Sequence, residues 1–262
     1  MAAVEVVRGA ALAASATYPV ATVEVTGDYS ARLVSPQGAS LWLVAADLGQ
    51  GTVLGWDEHH GDEAVYVRRG ELAVSGTTGP RICPADGAIV VEAGVHAVAV
   101  AGPNTSIVHV GPTDPTPPTG GLRGPARARD RSVRVVGPGG MWATVNDHQR
   151  TRFFSDASDP TNRLWLLATE RFGRFESSAH SHSQDELIHV LRGEIRIGRR
   201  RVGVGDTLWV ASDRRYRLVS GEEGMCFLNY RRDASMMTSP TYDEPLLEAG
   251  ESTGMAMVGD CR

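Results

Sequence analysis

The stretch Leu41-Trp-Leu-Val-Ala45 recurs later in the chain as Leu164-Trp-Leu-Leu-Ala168. The two copies stay aligned without a gap, and the further matches are Asp62-Glu63 with Asp185-Glu186 and Arg69-Gly-Glu71 with Arg192-Gly-Glu194. Chance rarely aligns Trp, Gly and acidic residues at one constant offset. Self-similarity at a fixed offset is typical of repeated structural units, so the sequence predicts an internal duplication.

The two copies are separated by a segment rich in Pro and Gly, Gly111-Pro-Thr-Asp-Pro-Thr-Pro-Pro-Thr-Gly-Gly-Leu-Arg-Gly-Pro125. Such a composition disfavours regular structure and is typical of a linker. We therefore predict an N-terminal domain at 1–112, a linker at 113–129 and a C-terminal domain at 130–235. The tail at 236–262 is polar and rich in Gly and Ser, and we expect it to lie on the surface or to fray.

Each copy contains short apolar segments separated by turn residues at a spacing of about ten residues, a pattern typical of β-sandwiches and barrels. Neither core contains a convincing amphipathic helix, so the sequence predicts two antiparallel all-β units. The predicted strands include Val65–Gly70, Ala88–Val91 and His96–Val100 in the first copy, and Leu187–Leu191, Thr207–Val210 and Cys226–Tyr230 in the second.

Composition excludes several classes of function. The 262 residues contain 26 cationic side chains, all of them Arg, which rules out Schiff-base and phosphate-loop lysines. The net charge of -5 argues against a nucleic-acid binder. The three widely spaced cysteines and the lack of a long apolar run indicate neither a disulfide framework nor a membrane span. We expect a cytoplasmic protein, and the Arg-, Ala- and Gly-rich usage is typical of bacteria with GC-rich genomes.

Two imidazoles and a carboxylate lie close together in the second copy, in the segment His180-Ser-His182-Ser-Gln-Asp-Glu186. Side chains alternate faces along a strand, so His180 and His182 point the same way about 7 Å apart. Glu186 begins the next predicted strand and can face them. Two His and one carboxylate form a ligand set that holds a divalent metal with open positions.

The same spacing, followed by Gly193, resembles the first motif of the cupin superfamily. The resemblance covers both copies and implies a bicupin, in which two tandem double-stranded β-helix (jelly-roll) barrels follow one another. It also implies a divalent metal inside the barrel, with Fe(II) favoured and Mn, Ni, Zn or Cu as alternatives.

The second cupin motif normally supplies another His, but Tyr216 stands at that position after Gly205-Asp206. Three roles stay open for Tyr216 beside a metal: a hydrogen-bond donor, an acid or a weak ligand. A fourth is a core aromatic residue with a satisfied hydroxyl. We expect Tyr216 to be the catalytic candidate next to the His180, His182 and Glu186 site.

The first copy is more altered at the corresponding positions. Asp57 replaces His180, while His59 and Glu63 take the places of His182 and Glu186, and His96 lies in the second motif. These four residues form a possible second metal site, harder and richer in oxygen than the first. The alternative for both copies is a degenerate barrel in which the polar residues only form hydrogen bonds. His109 is left without a role.

Three functions remain open. The first is a non-haem iron dioxygenase or related oxidoreductase acting on a small organic molecule, with O₂ and substrate side by side on the metal. The second is a non-redox metal-dependent isomerase, epimerase or lyase. The third is a non-catalytic ligand-binding cupin. We expect a small-molecule substrate, no nucleic-acid or membrane partner, and a monomer or homodimer.

Overall fold

The computed structural model describes residues 4–75, 79–115, 131–156, 159, 161–233 and 235–238, and the backbone of 246–247. This part of the chain is all-β, as expected, with one 3₁₀ turn at Gly9–Ala11. The strands are β1 Val4–Val7, β2 Glu24–Thr26, β3 Tyr29–Val34, β4 Leu41–Leu48, β5 Val53–Trp56, β6 Glu63–Arg69, β7 Glu71–Ser75, β8 Arg81–Pro84, β9 Ala88–Val91, β10 Ala97–Ala101, β11 Thr105–Pro112, β12 Val133–Val136, β13 Trp142–Asn146, β14 Gln149–Ser155, β15 Trp165–Arg171, β16 Ser181–His182, β17 Glu186–Ile197, β18 Arg200–Val202, β19 Thr207–Val210, β20 Val219–Arg231, β21 Met236–Thr238 and β22 Leu246–Leu247.

The strands form four sheets whose pairings are all antiparallel. An eight-stranded sheet has the order β1-β19-β17-β20-β15-β14-β13, with β18 paired to β17. A six-stranded sheet has the order β12-β9-β6-β11-β4-β3, and a five-stranded sheet the order β2-β5-β10-β7-β8. A small sheet joins β16, β21 and β22.

The sequence repeat appears in the pairing of the two large sheets. Strands β9, β6, β11 and β4 neighbour one another in the same order as β19, β17, β20 and β15. Glu63 lies opposite Val91, and Glu186 lies opposite Val210. The glycine of the repeated Arg-Gly-Glu motif is required for steric reasons. Gly193 adopts a φ of 73°, and a Cβ there would lie 2.4 Å from the carbonyl oxygen of Gly224.

The core consists of layers on either side of the large sheets. Strand β4 is apolar except for the exposed Asp47, because both of its faces are buried along most of its length. Its Leu41 and Leu43 contribute to a core between the six- and eight-stranded sheets, while Trp42 and Val44 contribute to a core between the six- and five-stranded sheets. Residues of the second copy, Ile188 and Leu208 among them, form a third core on the far side.

The two halves of the chain exchange a strand. Strand β1, at the start of the chain, pairs with β19 of the second copy, and Val4 lies opposite Val210. Strand β12, which follows the first copy, pairs with β9 of the first copy, and Val133 lies opposite Val91. Each large sheet therefore ends in a strand supplied by the other half of the chain.

The predicted linker and tail fall partly outside the described residues. Residues 116–130, which include most of the linker, lie outside them, as do 239–245 and 248–262 of the tail. Within the tail, Met236–Thr238 pairs with Ser181–His182, and Leu246–Leu247 pairs with Met236–Thr238. Part of the tail therefore extends the small sheet that carries His182.

Candidate functional site

The structure brings the four candidate residues of the second copy into one cluster. His180 and Tyr216 face each other across a two-residue bridge, in which each backbone N–H donates to the carbonyl of the other residue, at 3.0 and 2.9 Å. The His180 ring centroid lies 4.6 Å from that of Tyr216 and 5.0 Å from that of His182. Glu186 starts β17, and its Oε1 lies 3.9 Å from Nε2 of His182.

The four residues of the cluster differ in their exposure to solvent. Glu186 is fully buried, His182 and Tyr216 are 5% and 7% exposed, and His180 is half-buried. Strand β16, which carries His182, pairs with β21, and this pairing places His182 opposite Met237. His180 is therefore the member of the cluster most open to solvent.

An arginine that the sequence analysis did not consider lies inside this cluster. Nη2 of Arg231 is 3.1 Å from Oε2 of Glu186 and 3.0 Å from Nε2 of His182. The guanidinium also lies over the ring of Trp165, 4.1 Å from its centroid, a favourable cation–π arrangement. The Arg231 side chain is only 2% exposed, so its charge is compensated by protein groups rather than by bulk water.

These contacts fix the hydrogen-bonding roles of both histidines. A guanidinium has no acceptor atom, so Nε2 of His182 accepts from Arg231 when the His182 ring is neutral. The carbonyl of Ser178 accepts at 2.8 Å from Nδ1 of His180, so Nδ1 of His180 carries a proton. In the neutral His180 ring the lone pair is therefore on Nε2.

Glu186 is held as a carboxylate. Burial alone raises its pKa, but the neighbouring His182 and Arg231, with smaller contributions from the Tyr216 hydroxyl and the Asn229 amide, outweigh burial and lower the pKa to about 2. The Asn229 amide donates to Oε2 of Glu186 at 2.7 Å. Glu186 therefore accepts hydrogen bonds at neutral pH and does not serve as a proton donor.

The donor set fits a divalent metal in type but not in this arrangement. A metal on Nε2 of His182 and on Glu186 would stand about 2.1 Å from each ligand atom. Nη2 of Arg231 already lies within 3.1 Å of both ligands, so two cations would be nearly in contact in a buried site. Among the described residues, three ligand atoms lie within 4.8 Å of one another only at the exposed Asp57, Glu58 and His59.

The structure does not bring together the four candidate ligands of the first copy. Asp57 and His59 lie on an exposed turn before β6, where Nδ1 of His59 is 3.2 Å from Oδ2 of Asp57. His96 is also exposed and lies 3.1 Å from Glu58. Glu63 is fully buried and faces the core instead. The possible second metal site is therefore divided between a surface turn and the interior.

Glu63 has a partner that the sequence analysis left unassigned. Nε2 of His109 donates to Oε2 of Glu63 at 2.8 Å, and both side chains are fully buried. Nε1 of Trp56 donates to the same oxygen at 2.9 Å, and the hydroxyl of Tyr18 lies 3.0 Å from Nδ1 of His109. Burial raises the pKa of Glu63, but the bonds from His109, with smaller contributions from neighbouring donors, lower it overall.

The strand register explains how the two buried glutamates acquire partners that are distant in sequence. His109 lies opposite Val65, and Asn229 lies opposite Ile188, two strand positions beyond the glutamate in each copy. His109 and Asn229 therefore occupy equivalent positions and both donate to the buried glutamate. Arg231 lies opposite Trp165, where the first copy has Gly111 opposite Trp42. A Cβ at Gly111 would lie 2.3 Å from the Trp42 ring, so that position has no room for an arginine.

His189 lies on the other face of β17 from Glu186, as its position in the alternation predicts. It is 1% exposed, and its Nδ1 lies 2.9 Å from Oγ1 of Thr207. Burial, and to a smaller extent Arg68, lower the pKa of His189 to about 3, while Asp206 opposes the shift. His189 is therefore neutral in the folded protein at physiological pH.

The neutral His189 predicts a loss of stability on acidification. The unfolded chain takes up a proton at His189 below its ordinary pKa of about 6.5, whereas the folded protein does not do so until about pH 3. The free energy of unfolding should fall as pH drops from 6.5 to 4.5, by up to about 1.4 kcal/mol per pH unit from this group. The window lies above the range in which Glu186 contributes.

Urea unfolding at several pH values measures this slope. The variant His189→Gln should flatten it between pH 6.5 and 4.5, while His148→Gln, at an exposed histidine, should leave it unchanged. An equal slope in the wild type and the His189→Gln variant would contradict the assignment.

No helix in the described part of the chain is long and apolar enough to cross a membrane.

Comparison with known proteins places the fold. No family model matches the chain, and no curated protein matches it in sequence. Among solved structures, the protein Ylba from E. coli, described under the family model DUF861, aligns with a TM-score of 0.64 at 13% identity over 87% of this chain and 90% of that one. A putative glyoxylate-induced protein from Pseudomonas aeruginosa aligns with a TM-score of 0.67 at 16% identity, over 88% and 89% of the two chains.

Oxalate decarboxylase from Bacillus subtilis, in a structure solved to study its Mn(II) centres, aligns with a TM-score of 0.62 at 13% identity. The alignment covers 90% of this chain and 79% of that one. At such low identity the likeness concerns the fold and not the activity. The chain therefore has the all-β fold of these solved structures.

Proposed function

We propose that the protein is a bicupin enzyme that moves protons on a small organic molecule at the cluster around His180. The two tandem barrels would correspond to the two sequence copies, 1–112 and 130–235, with one strand from each half exchanged. The reaction class is isomerisation, epimerisation or a lyase reaction. The observation that carries the proposal is His180, a half-buried imidazole with one tautomer selected by the carbonyl of Ser178.

His180 supplies the proton-transfer group. Its Nδ1 donates to Ser178, so Nε2 of the neutral ring can take a proton from a carbon next to a carbonyl and return it. An imidazole can act as a base and, once protonated, as an acid, which is what the two steps require. His180 is also the member of the cluster that solvent, and therefore substrate, reaches most easily.

Tyr216 and Glu186 orient the substrate. The hydroxyl of Tyr216 lies near enough to Glu186 to lower the pKa of that carboxyl, and its oxygen can accept a hydrogen bond from a substrate hydroxyl group. Arg231 compensates the charge of Glu186 and keeps it an acceptor. The Tyr216 ring stands beside His180, so a substrate bound to Tyr216 would lie next to the proton-transfer group.

A second candidate is the metal-dependent oxidoreductase, with Fe(II) or Mn(II) on His180, His182 and Glu186 and a dioxygenase as its specific form. The fold likeness to a decarboxylase studied for its Mn(II) centres favours a divalent metal over none. This candidate requires the guanidinium of Arg231 to leave His182 and Glu186 before the metal binds. It comes second because that step breaks two buried hydrogen bonds.

The net charge and the free cysteines bear on the partners and on the cellular compartment. The substrate is a small molecule, and the net charge of -5 favours neither nucleic acid nor an anionic membrane surface. Cys83 and Cys226 are free thiols, which supports a reducing compartment such as the cytoplasm.

Solvent deuterium incorporation tests the proposal without knowledge of the substrate. The protein is treated with a chelator and incubated in D₂O with mixtures of hydroxy acids, keto acids and sugars, and NMR detects exchange at carbon. We expect exchange into one substrate class, reduced about 100- to 10,000-fold in His180→Gln because general acid–base catalysis contributes that much. The control His59→Gln, at an exposed histidine, should retain the wild-type rate.

The alternative has a different signature. Activity that appears only with added Fe(II) or Mn(II), together with oxygen uptake, would overturn the acid–base proposal in favour of the second candidate. Exchange that persists in His180→Gln would remove His180 from the reaction.

A further inference from the structure

A cavity of about 230 Å³ lies where the two halves of the chain meet, away from the His180 cluster. Its walls come from three parts of the fold: the 3₁₀ turn after β1, strands β3, β4 and β6 of the first copy, and β17 of the second. The lining includes Gly9, Leu12, Arg32, Arg68, His189 and Gly205.

Two arginines give the cavity a positive charge. Arg32, on β3, and Arg68, on β6, are half-buried, and neither makes a hydrogen bond or ion pair with a described residue. The described residues that line the cavity include no Asp or Glu. The nearby Asp206 already accepts from Arg8 at 2.6 Å and from the backbone N–H of Gly9 at 3.1 Å. Two guanidinium groups therefore line one space to which no described residue contributes a carboxylate.

His189 adds a buried polar group to the same wall. Its Nδ1 is bonded to Thr207, while its Nε2 is buried and has no hydrogen-bond partner within the described parts of the chain. Buried polar atoms are satisfied in the great majority of cases, and an exception points to a missing water, ion or ligand. The orphaned atom belongs to a residue that lines the space between the two arginines.

The turn at Gly9 closes one side of the cavity. A Cβ on Gly9 would lie 2.2 Å from the carbonyl oxygen of Gly205, so the two backbones touch only because Gly9 lacks a side chain. The cavity wall is therefore built by contact between the N-terminal segment and the second copy. Its small volume favours a ligand of few heavy atoms.

We infer that this cavity is a binding site for a small oxyanion, a carboxylate or a phosphate, held by Arg32 and Arg68 with His189 beside it. Arginine presents a planar fork of donors that matches carboxylate and phosphate oxygens. The site is separate from the His180 cluster and does not depend on the proposed function.

Isothermal titration calorimetry on the full chain tests the site with two probes, inorganic phosphate and malonate, at constant ionic strength. We expect at least one of them to bind one site per chain, and the pair of results distinguishes a phosphate from a dicarboxylate site. Arg32→Gln and Arg68→Gln should each raise the Kd about tenfold or more, since each removes charge-assisted hydrogen bonds.

The matched control is Arg81→Gln, at an exposed arginine of β8, which changes the net charge equally. The Kd should not change in this variant, and urea unfolding should show that all three variants are folded. The proposal is overturned if neither probe binds, or if Arg81→Gln weakens binding as much as the cavity variants do.

Discussion

Replacing Arg231 with methionine should destabilise the protein and, at the same time, create a metal site. The variant leaves Glu186 buried without its cationic partner, and removing one member of a buried pair costs about 3–5 kcal/mol. The freed lone pairs of His182 and Glu186 then become available to a divalent cation. We expect the Arg231→Met variant to be unstable in chelator and to regain stability with Mn(II).

Urea unfolding with and without Mn(II) measures both effects. A ligand present at a hundred times its Kd stabilises the folded state by about 2.7 kcal/mol, which is large enough to recover most of the loss. The wild-type protein should show no Mn(II)-dependent stabilisation, because its own guanidinium holds the position. The control Arg217→Met removes an exposed arginine paired with Glu176 and should respond to Mn(II) no more than the wild type does.

Two outcomes would contradict this prediction. If the wild type binds one Mn(II) per chain as tightly as the variant, Arg231 does not exclude the metal, and the metal-dependent candidate becomes the better one. If the variant is unstable and Mn(II) does not restore it, His182 and Glu186 do not form a metal site even when both are released.

The second large effect is expected in the first copy, at His109. The variant His109→Leu removes the donor from the fully buried Glu63 and should cost about 3–5 kcal/mol, for the same reason as the loss of Arg231. Replacing both members with apolar residues of similar size is often neutral for buried pairs. The double variant Glu63→Met/His109→Leu should therefore recover part of the stability lost in His109→Leu, since the Trp56 and Tyr18 donors still lose their partners.

A double-mutant cycle from urea unfolding gives the coupling between the two side chains. Simple additivity of the two single changes would show that Glu63 and His109 do not act as a pair. The surface pair His96 and Glu58 is the matched control, and His96→Leu should change stability little because both side chains are mostly exposed.

Much of the fold was accessible from the sequence because it rests on local patterns. Alternating and continuous apolar segments located strands such as Ala88–Val91 and Thr207–Val210. The repeat predicted an internal duplication, and strands of the two copies pair in the same order. His180, His182, Glu186 and Tyr216 were grouped by strand alternation and by the resemblance to cupins, and they lie together in the structure.

The partners of the two buried glutamates could not be predicted from local patterns. The partners Arg231 and His109 come from β20 and β11, far from the glutamates in sequence, and their positions depend on the register of those strands. Nothing in a local pattern distinguishes Arg231 from the many other arginines. The spacing of Asp57, His59 and Glu63 was also insufficient, because a turn places the first two outside while Glu63 begins the buried strand β6.

The exchange of β1 and β12 bears on how the chain arose and on how its two halves stay associated. If one copy is imagined as a separate polypeptide, the arrangement is that of a strand-swapped homodimer, with each subunit lending its first strand to the other. Joining two such subunits end to end gives the present topology. Cutting the connection between the copies would therefore leave two fragments clasped by their exchanged strands and by the apolar layer between the large sheets.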